Sequence, residues 1–212
     1  AVELLSISGY VLLSLRAEGK NAAAILKYLL FGGFASAVML FGMSYLYGLS
    51  GSLTLDEATL TAWTEAPPVV FYAGLGGFLV GFLFKLSAFP FAAWVPDVYE
   101  SSRFEGLTFL TLVPKVAAAS FLLVWAQALG PLWYEGPIPQ ILGAVALLTL
   151  TLGNAAALRQ KTPRSLMGFS SVAQAGFFLL PLCVAGNFAE EALLFYLFTY
   201  ALATFGVFLL LE

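Results

Sequence analysis

Seven apolar stretches, at about 1–15, 25–47, 72–95, 107–130, 138–158, 165–185 and 190–211, are bounded by breaks that are charged or rich in Gly or Pro. A helix needs about 20 apolar residues to cross the hydrocarbon core, so all but the first run have the length to span a membrane. An isolated strand cannot satisfy its backbone in lipid. No run shows the alternating in/out pattern of a barrel, so each is read as a helix. Composition agrees: 61% of residues are hydrophobic and 10% charged, against roughly 45–50% and about 25% in soluble chains. The expectation is an all-α polytopic membrane protein of about seven transmembrane helices, one membrane domain over 1–212. The chain opens on Ala-Val-Glu-Leu-Leu, in mid-span and with neither a basic leader nor a cleavage motif. This reads as an internal piece of a longer protein.

Loop charges give an orientation. Arg16 and Lys20 follow the first stretch, Arg103 the third, and Arg159, Lys161 and Arg164 the fifth. The loops after the second, fourth and sixth carry Asp56, Glu57, Glu65, Glu135, Glu190 and Glu191, with no Lys or Arg. Because cytoplasmic loops are enriched in Lys and Arg, the first helix should run inward and Glu212 should end on the cytoplasmic side. Within the long outer segment 48–71, residues 55–63 have the pattern of a short amphipathic helix. Thr54 or Asp56 would cap it, Pro67-Pro68 would end it, and Trp63 is expected as an interfacial anchor.

Several function classes fall away. A net charge of -3 offers no basic surface for nucleic acid. With no His and one Cys, Cys183, the chain cannot assemble the ligand sets of haem, zinc or iron–sulfur centres by itself. Cys183 is read as a small buried apolar residue. No Gly-rich loop joins a strand to a helix, so nucleotide binding is not expected.

Against this apolar background Glu3, Lys27, Lys85 and Lys115 stand out. A charged side chain at the bilayer centre costs on the order of 3 kcal/mol on insertion scales, so an intramembrane charge is a hypothesis about an ion pathway. Lys85 lies about nine residues from Trp94, or roughly 13 Å deep if Trp94 marks the headgroup boundary. Pro90 should break the helix about one turn from it. Lys115 follows a second expected break at Pro114, roughly 12 Å from the same face. Glu3 is a natural counter-ion for a buried lysine. Lys27 lies near the cytoplasmic end of its span, where snorkelling to the surface is an equal reading. Asn154, Ser170, Ser171, Gln174, Thr199 and Thr204 could hold water between lysines, but gluing helices together is the leading reading for such residues.

The stretch Lys85-Leu-Ser-Ala-Phe-Pro-Phe-Ala-Ala-Trp-Val-Pro-Asp-Val-Tyr-Glu100 resembles the signature of the proton-pumping, antiporter-like membrane subunits of respiratory complex I, nearest to the N-subunit branch. Supporting agreement comes from Glu3-Leu-Leu-Ser-Ile, Leu26-Lys-Tyr-Leu-Leu-Phe-Gly, Pro114-Lys-Val-Ala-Ala and the run from Pro163 to Gly176. The resemblance implies an inverted-repeat, antiporter-like fold with broken helices. It also implies that Glu3 is the carboxylate paired with the broken-helix lysine Lys85, and that Lys115 is the connecting lysine. The chain departs at Ala92 and Gln174, where the family often has His, so a histidine relay is excluded. A weak internal match of 26–36 with 194–204 fits inverted repeats, with chance an equal reading in so apolar a chain.

The resemblance thus implies a proton-translocating subunit of NADH-quinone oxidoreductase in a bacterial inner membrane. Its partners would be the lipid bilayer, protons and other membrane subunits of complex I. NADH, FMN, iron–sulfur clusters and quinone would sit on partner subunits, with no cofactor or redox site here. A subunit of a multisubunit cation/proton antiporter, or a scaffold of a membrane arm, are the alternatives.

Overall fold

The computed structural model describes residues 2–14, 21–102 and 104–211, with the side chains of 2, 3, 21, 104, 105 and 211 outside the description. Among the described residues the chain is helical and has no strand. In order the helices are α1 (Val2–Ser14), α2 (Asn21–Ser50), α3 (Glu57–Glu65), α4 (Pro68–Leu86) and α5 (Val95–Ser101). They continue with α6 (Phe104–Leu129), α7 (Pro131–Tyr134), α8 (Ile138–Ala157), α9 (Pro163–Leu179) and α10 (Asn187–Leu211). Six are long and apolar enough to cross a membrane, while α1 contributes the shorter apolar segment Leu4–Ser14. The fold is that of a multi-pass α-helical membrane protein, with six candidate spans where the sequence indicated about seven.

Helix α4 is the centre. Most of its apolar length is buried, whereas α2, α8 and α10 are mostly exposed along theirs. It packs most extensively on α2, and α8 packs likewise on α9. Glycine permits the first contact: a Cβ on Gly42 would lie 2.7 Å from the Gly77 carbonyl carbon, closer than real side chains come. Small residues thus let α2 and α4 approach backbone to backbone, as membrane helices do when packing replaces a hydrophobic driving force. One aromatic group, Phe78, Phe82, Phe121 and Trp125, stitches α4 to α6.

The first expected break is real but lies closer to the lysine. Helix α4 ends at Leu86, one residue past Lys85, where Ser87 takes the left-handed conformation (φ 62°). The Ser87 and Ala88 amides donate back to the Phe84 and Leu83 carbonyls at 3.0 and 2.9 Å. This closes the helix as a left-handed C-terminal cap does. The chain then turns through 87–94 before restarting as α5, with Pro96 in its first turn. Non-helical backbone at membrane depth survives only where protein or water satisfies it. Here Thr149 of α8 accepts the Phe89 amide at 3.0 Å. The expected single span 72–95 is therefore the end of α4 followed by a non-helical turn, buried at Ser87 and Ala88, that leads into α5.

Pro114 gives the opposite outcome. Helix α6 runs unbroken through it from Phe104 to Leu129. A proline costs the helix one donor, here the bond to the Leu110 carbonyl, but need not end it when neighbouring elements hold both flanks. The buried residues Leu110, Ala118, Ala119 and Leu122 supply that hold.

The outer helix is also corrected in one respect. Asp56 caps α3 by accepting the Thr59 amide at 2.9 Å, and Thr54 donates to its other carboxylate oxygen at 2.7 Å. Trp63, however, is 1% exposed. Its indole N–H donates to the Leu46 carbonyl at 3.0 Å, and its ring lies 6.0 Å from both Phe71 and Trp125. It plugs the top of the bundle instead of anchoring at the lipid interface, because α3 folds back onto the ends of α2, α4 and α6.

Candidate functional site

Lys85 and Lys115 are both buried, 6% and 2% exposed, on the adjacent packed helices α4 and α6. Lys85 donates from Nζ to Ser6 Oγ of α1, itself 1% exposed, and lies 5.5 Å from the Phe84 ring centroid. Ser6 follows Glu3 by three positions in α1, the spacing at which helical residues share a face. The expected contact of the Glu3 carboxylate with Lys85 lies outside the described residues. Lys85 also lines a cavity of about 120 Å³ with Leu5, Pro114, Ala117, Ala118 and Phe121. That space touches α6 beside the residue preceding Lys115. Its walls are otherwise apolar.

Lys115 turns to the other side of the bundle. It donates twice to one residue of α9, to the Ser171 carbonyl at 2.6 Å and to Ser171 Oγ at 2.6 Å. From Ser171 the polar contacts continue: its hydroxyl lies 3.3 Å from the Tyr200 hydroxyl of α10. Tyr200 donates to the Thr111 carbonyl at 3.5 Å, and the Thr111 and Tyr99 hydroxyls share a hydrogen bond of 2.5 Å. Helices α5, α6, α9 and α10 thus converge on a string of hydroxyls beginning at Lys115. Beside it lies a cavity of about 290 Å³ whose polar lining includes Ser170, Ser171, Gln174 and Tyr200. Gln174 in turn accepts a hydrogen bond from Tyr196. Among the described residues, no cluster of His, Cys, Asp and Glu could hold a metal ion.

Lys27 belongs to a different environment. Its Nζ pairs with Asp97 Oδ2 at 2.6 Å, the two side chains being 40% and 48% exposed. The pair ties the start of α2 to α5. Sequence reasoning placed Lys27 near a surface but missed Asp97 as its partner, although Asp97 stands in the most specific motif of the chain. It also set Ser171 no higher than helix glue and did not single out Ser6 or Tyr200. Their signal was weak, since a single hydroxyl in an apolar helix has many bland uses.

Apolar helices around a non-helical break, with a lysine at the end of the broken helix and a second on the next long helix, define the class of antiporter-like membrane subunits. The chain belongs to the NADH:quinone oxidoreductase/Mrp antiporter transmembrane family, whose model matches residues 1–212. It is 37% identical over 220 residues to NADH-quinone oxidoreductase subunit N 2 of Sorangium cellulosum, covering 99% of this chain and 44% of that protein. The chain therefore spans less than half the length of the curated relatives it matches. Among solved structures it is similar to a chain of respiratory complex I from Thermus thermophilus, with a TM-score of 0.80 and 35% identity. That match covers 99% of this chain and 44% of the other. It shares the fold of a chain of the Mrp complex from Dietzia sp. DQ12-45-1b, with a TM-score of 0.86 and 22% identity over 98% of this chain and 39% of that one. A multi-pass location in an inner membrane follows from the family and from the six apolar helices.

Proposed function

We propose that this chain is part of a proton-translocating membrane subunit of NADH-quinone oxidoreductase, and that Lys85 and Lys115 carry protons through it. One observation carries the reading: two lysines are buried on adjacent helices in an apolar interior where each charge costs on the order of 3 kcal/mol. Such groups persist where a pathway uses them. Lys85 gains and loses a proton as its pairing with Glu3 tightens and loosens, and water in the space between α4 and α6 passes the proton to Lys115. Redox chemistry with NADH, FMN, iron–sulfur clusters and quinone takes place on partner subunits, and other membrane subunits of the complex bind this one. The 35% identity with a complex I chain and the subunit N relatives support that assembly over the Mrp alternative.

The test uses the full-length protein in its assembled complex, in sealed vesicles. Lys85→Met should leave NADH oxidation measurable and lower the proton-to-electron ratio. Undiminished pumping would overturn the reading and leave Lys85 a scaffold residue. Sodium-dependent exchange, from a complex that purifies without dehydrogenase subunits, would instead favour the cation/proton antiporter.

A further inference from the structure

Lys85 and Lys115 differ in what lies beyond them. Past Lys85 the cavity walls are apolar, whereas past Lys115 the Ser171 hydroxyl opens onto the cavity of about 290 Å³. A liquid water molecule takes about 30 Å³ and needs two to four polar partners to be held. The larger cavity has both the volume for several waters and the partners: Tyr99, Thr111, Ser170, Ser171, Gln174 and Tyr200 all line it. It also runs along α10 as far as Phe208, toward the end of that helix assigned to the cytoplasmic side by the loop charges.

The geometry at Ser171 is asymmetric. Its carbonyl accepts from Lys115 but has no proton to pass on. Its hydroxyl both accepts from Lys115 and retains a proton of its own. With one of its two lone pairs taken by Lys115, the hydroxyl keeps its O–H for a partner on the cavity side, where the Tyr200 hydroxyl lies 3.3 Å away. We propose that Ser171 is the group through which Lys115 exchanges its proton with water in the cavity, and that Tyr200 is a positioning residue holding the serine hydroxyl in that orientation. This inference rests on the reading of Lys115 as a proton carrier.

The step balances without a co-reactant. The Lys115 N–H bond breaks as Ser171 Oγ takes the proton, and the original Ser171 O–H proton leaves to a cavity water. Lys115 becomes a neutral amine, serine stays a neutral hydroxyl turned toward it, and the water becomes hydronium. Reversal reloads the lysine. The titratable groups facing Ser171 are Lys115 from α6, Tyr200 from α10 and Tyr99 from α5. Among the described residues, no Asp, Glu, Lys or Arg lines the cavity.

Full-length variants are compared in the assembled complex, reading NADH oxidation, pumping and the pH profile of pumping. Ser171→Ala keeps the carbonyl but removes the hydroxyl, and should slow pumping about a hundredfold or more, in the range of a lost proton-transfer group. Ser171→Thr should restore most of it. Tyr200→Phe should shift the pH profile while the complex stays assembled. Wild-type pumping and pH profile in Ser171→Ala, alongside loss of pumping in Lys115→Met, would overturn this inference alone. Wild-type pumping in Lys115→Met would instead overturn the proposed function. Equal loss in assembled Ser171→Ala and Ser171→Thr would show a packing role and also overturn the inference. If Ser171→Ala fails to assemble, Tyr200→Phe decides, and an unchanged pH profile there counts against it.

Discussion

At the scale of single residues, the largest side chains do the sealing and the hydroxyls provide the chemistry. Trp133 is 0% exposed, and its indole N–H donates to the Leu182 carbonyl at 2.8 Å, in a short 3-10 turn after α9. A carbonyl at the end of a helix lacks an intrahelical donor, so this bond closes a gap as well as filling space. Trp133→Phe keeps most of the apolar volume but orphans that carbonyl, and should cost about 1–3 kcal/mol. The unfolding midpoint in mild detergent should fall accordingly, and an unchanged midpoint would show that another donor replaces the indole. Trp63 makes the same kind of bond, yet its sequence context, a short amphipathic segment beside a membrane span, pointed to an interfacial anchor. Nothing local to Trp63 distinguishes burial under a folded-back helix from burial in headgroups. Lys27 and Asp97 are half exposed, so solvent screens them, and such pairs contribute about 0–1 kcal/mol. Their role is to register α5 against α2 more than to stabilise either.

At the scale of elements, proline had different consequences at two positions because its surroundings differ. Near Pro90 the chain leaves α4 through Ser87 in the left-handed region, and Thr149 of a distant helix satisfies the Phe89 amide. At Pro114 the flanks are held by packing, so α6 loses one hydrogen bond and continues. The pattern of residues predicted a break in both places. Only the partners of the backbone groups separate them. The outer helix α3 offers a pH test, since Asp56 is outside the membrane-spanning segments. The Thr54 hydroxyl, then the Thr59 amide, donate to its carboxylate and hold its pKa below the usual value. A carboxyl lowered in the folded state contributes stability in full above its unfolded value of about 3.9, and loses it as pH falls through the folded value. Protection of the α3 amides against hydrogen exchange should therefore be level above about pH 5 and decline below about pH 4. Asp56→Asn, which keeps an accepting oxygen, should remove that dependence; the same decline in the variant would trace it to another group.

At the scale of the whole molecule, α4 is enclosed while α2, α8 and α10 turn long apolar faces outward. Leu147, Phe198 and Leu202 are 66%, 64% and 60% exposed. A face of this kind is stable against lipid or against further protein, and not against water. Leu147→Lys, near the middle of α8, should cost about 2.5–3.5 kcal/mol on insertion scales. The inserted fraction of the full-length protein should drop. Unchanged insertion would place that face against a polar surface. Helix class, the approximate span count and the four candidate charges were legible from local composition, because the helix rise and the apolar length of a membrane are fixed quantities. The partners of those charges were decided by tertiary structure. Lys85 meets Ser6 across 79 positions, Lys115 meets Ser171 across 56, and Lys27 meets Asp97 across 70. Periodicity along one helix carries no information about which face of another it will meet, so the sequence by itself determined which charges lie within apolar stretches, and only helix packing decided that Lys85 and Lys115 are buried, that Lys27 is half exposed, and what each can reach.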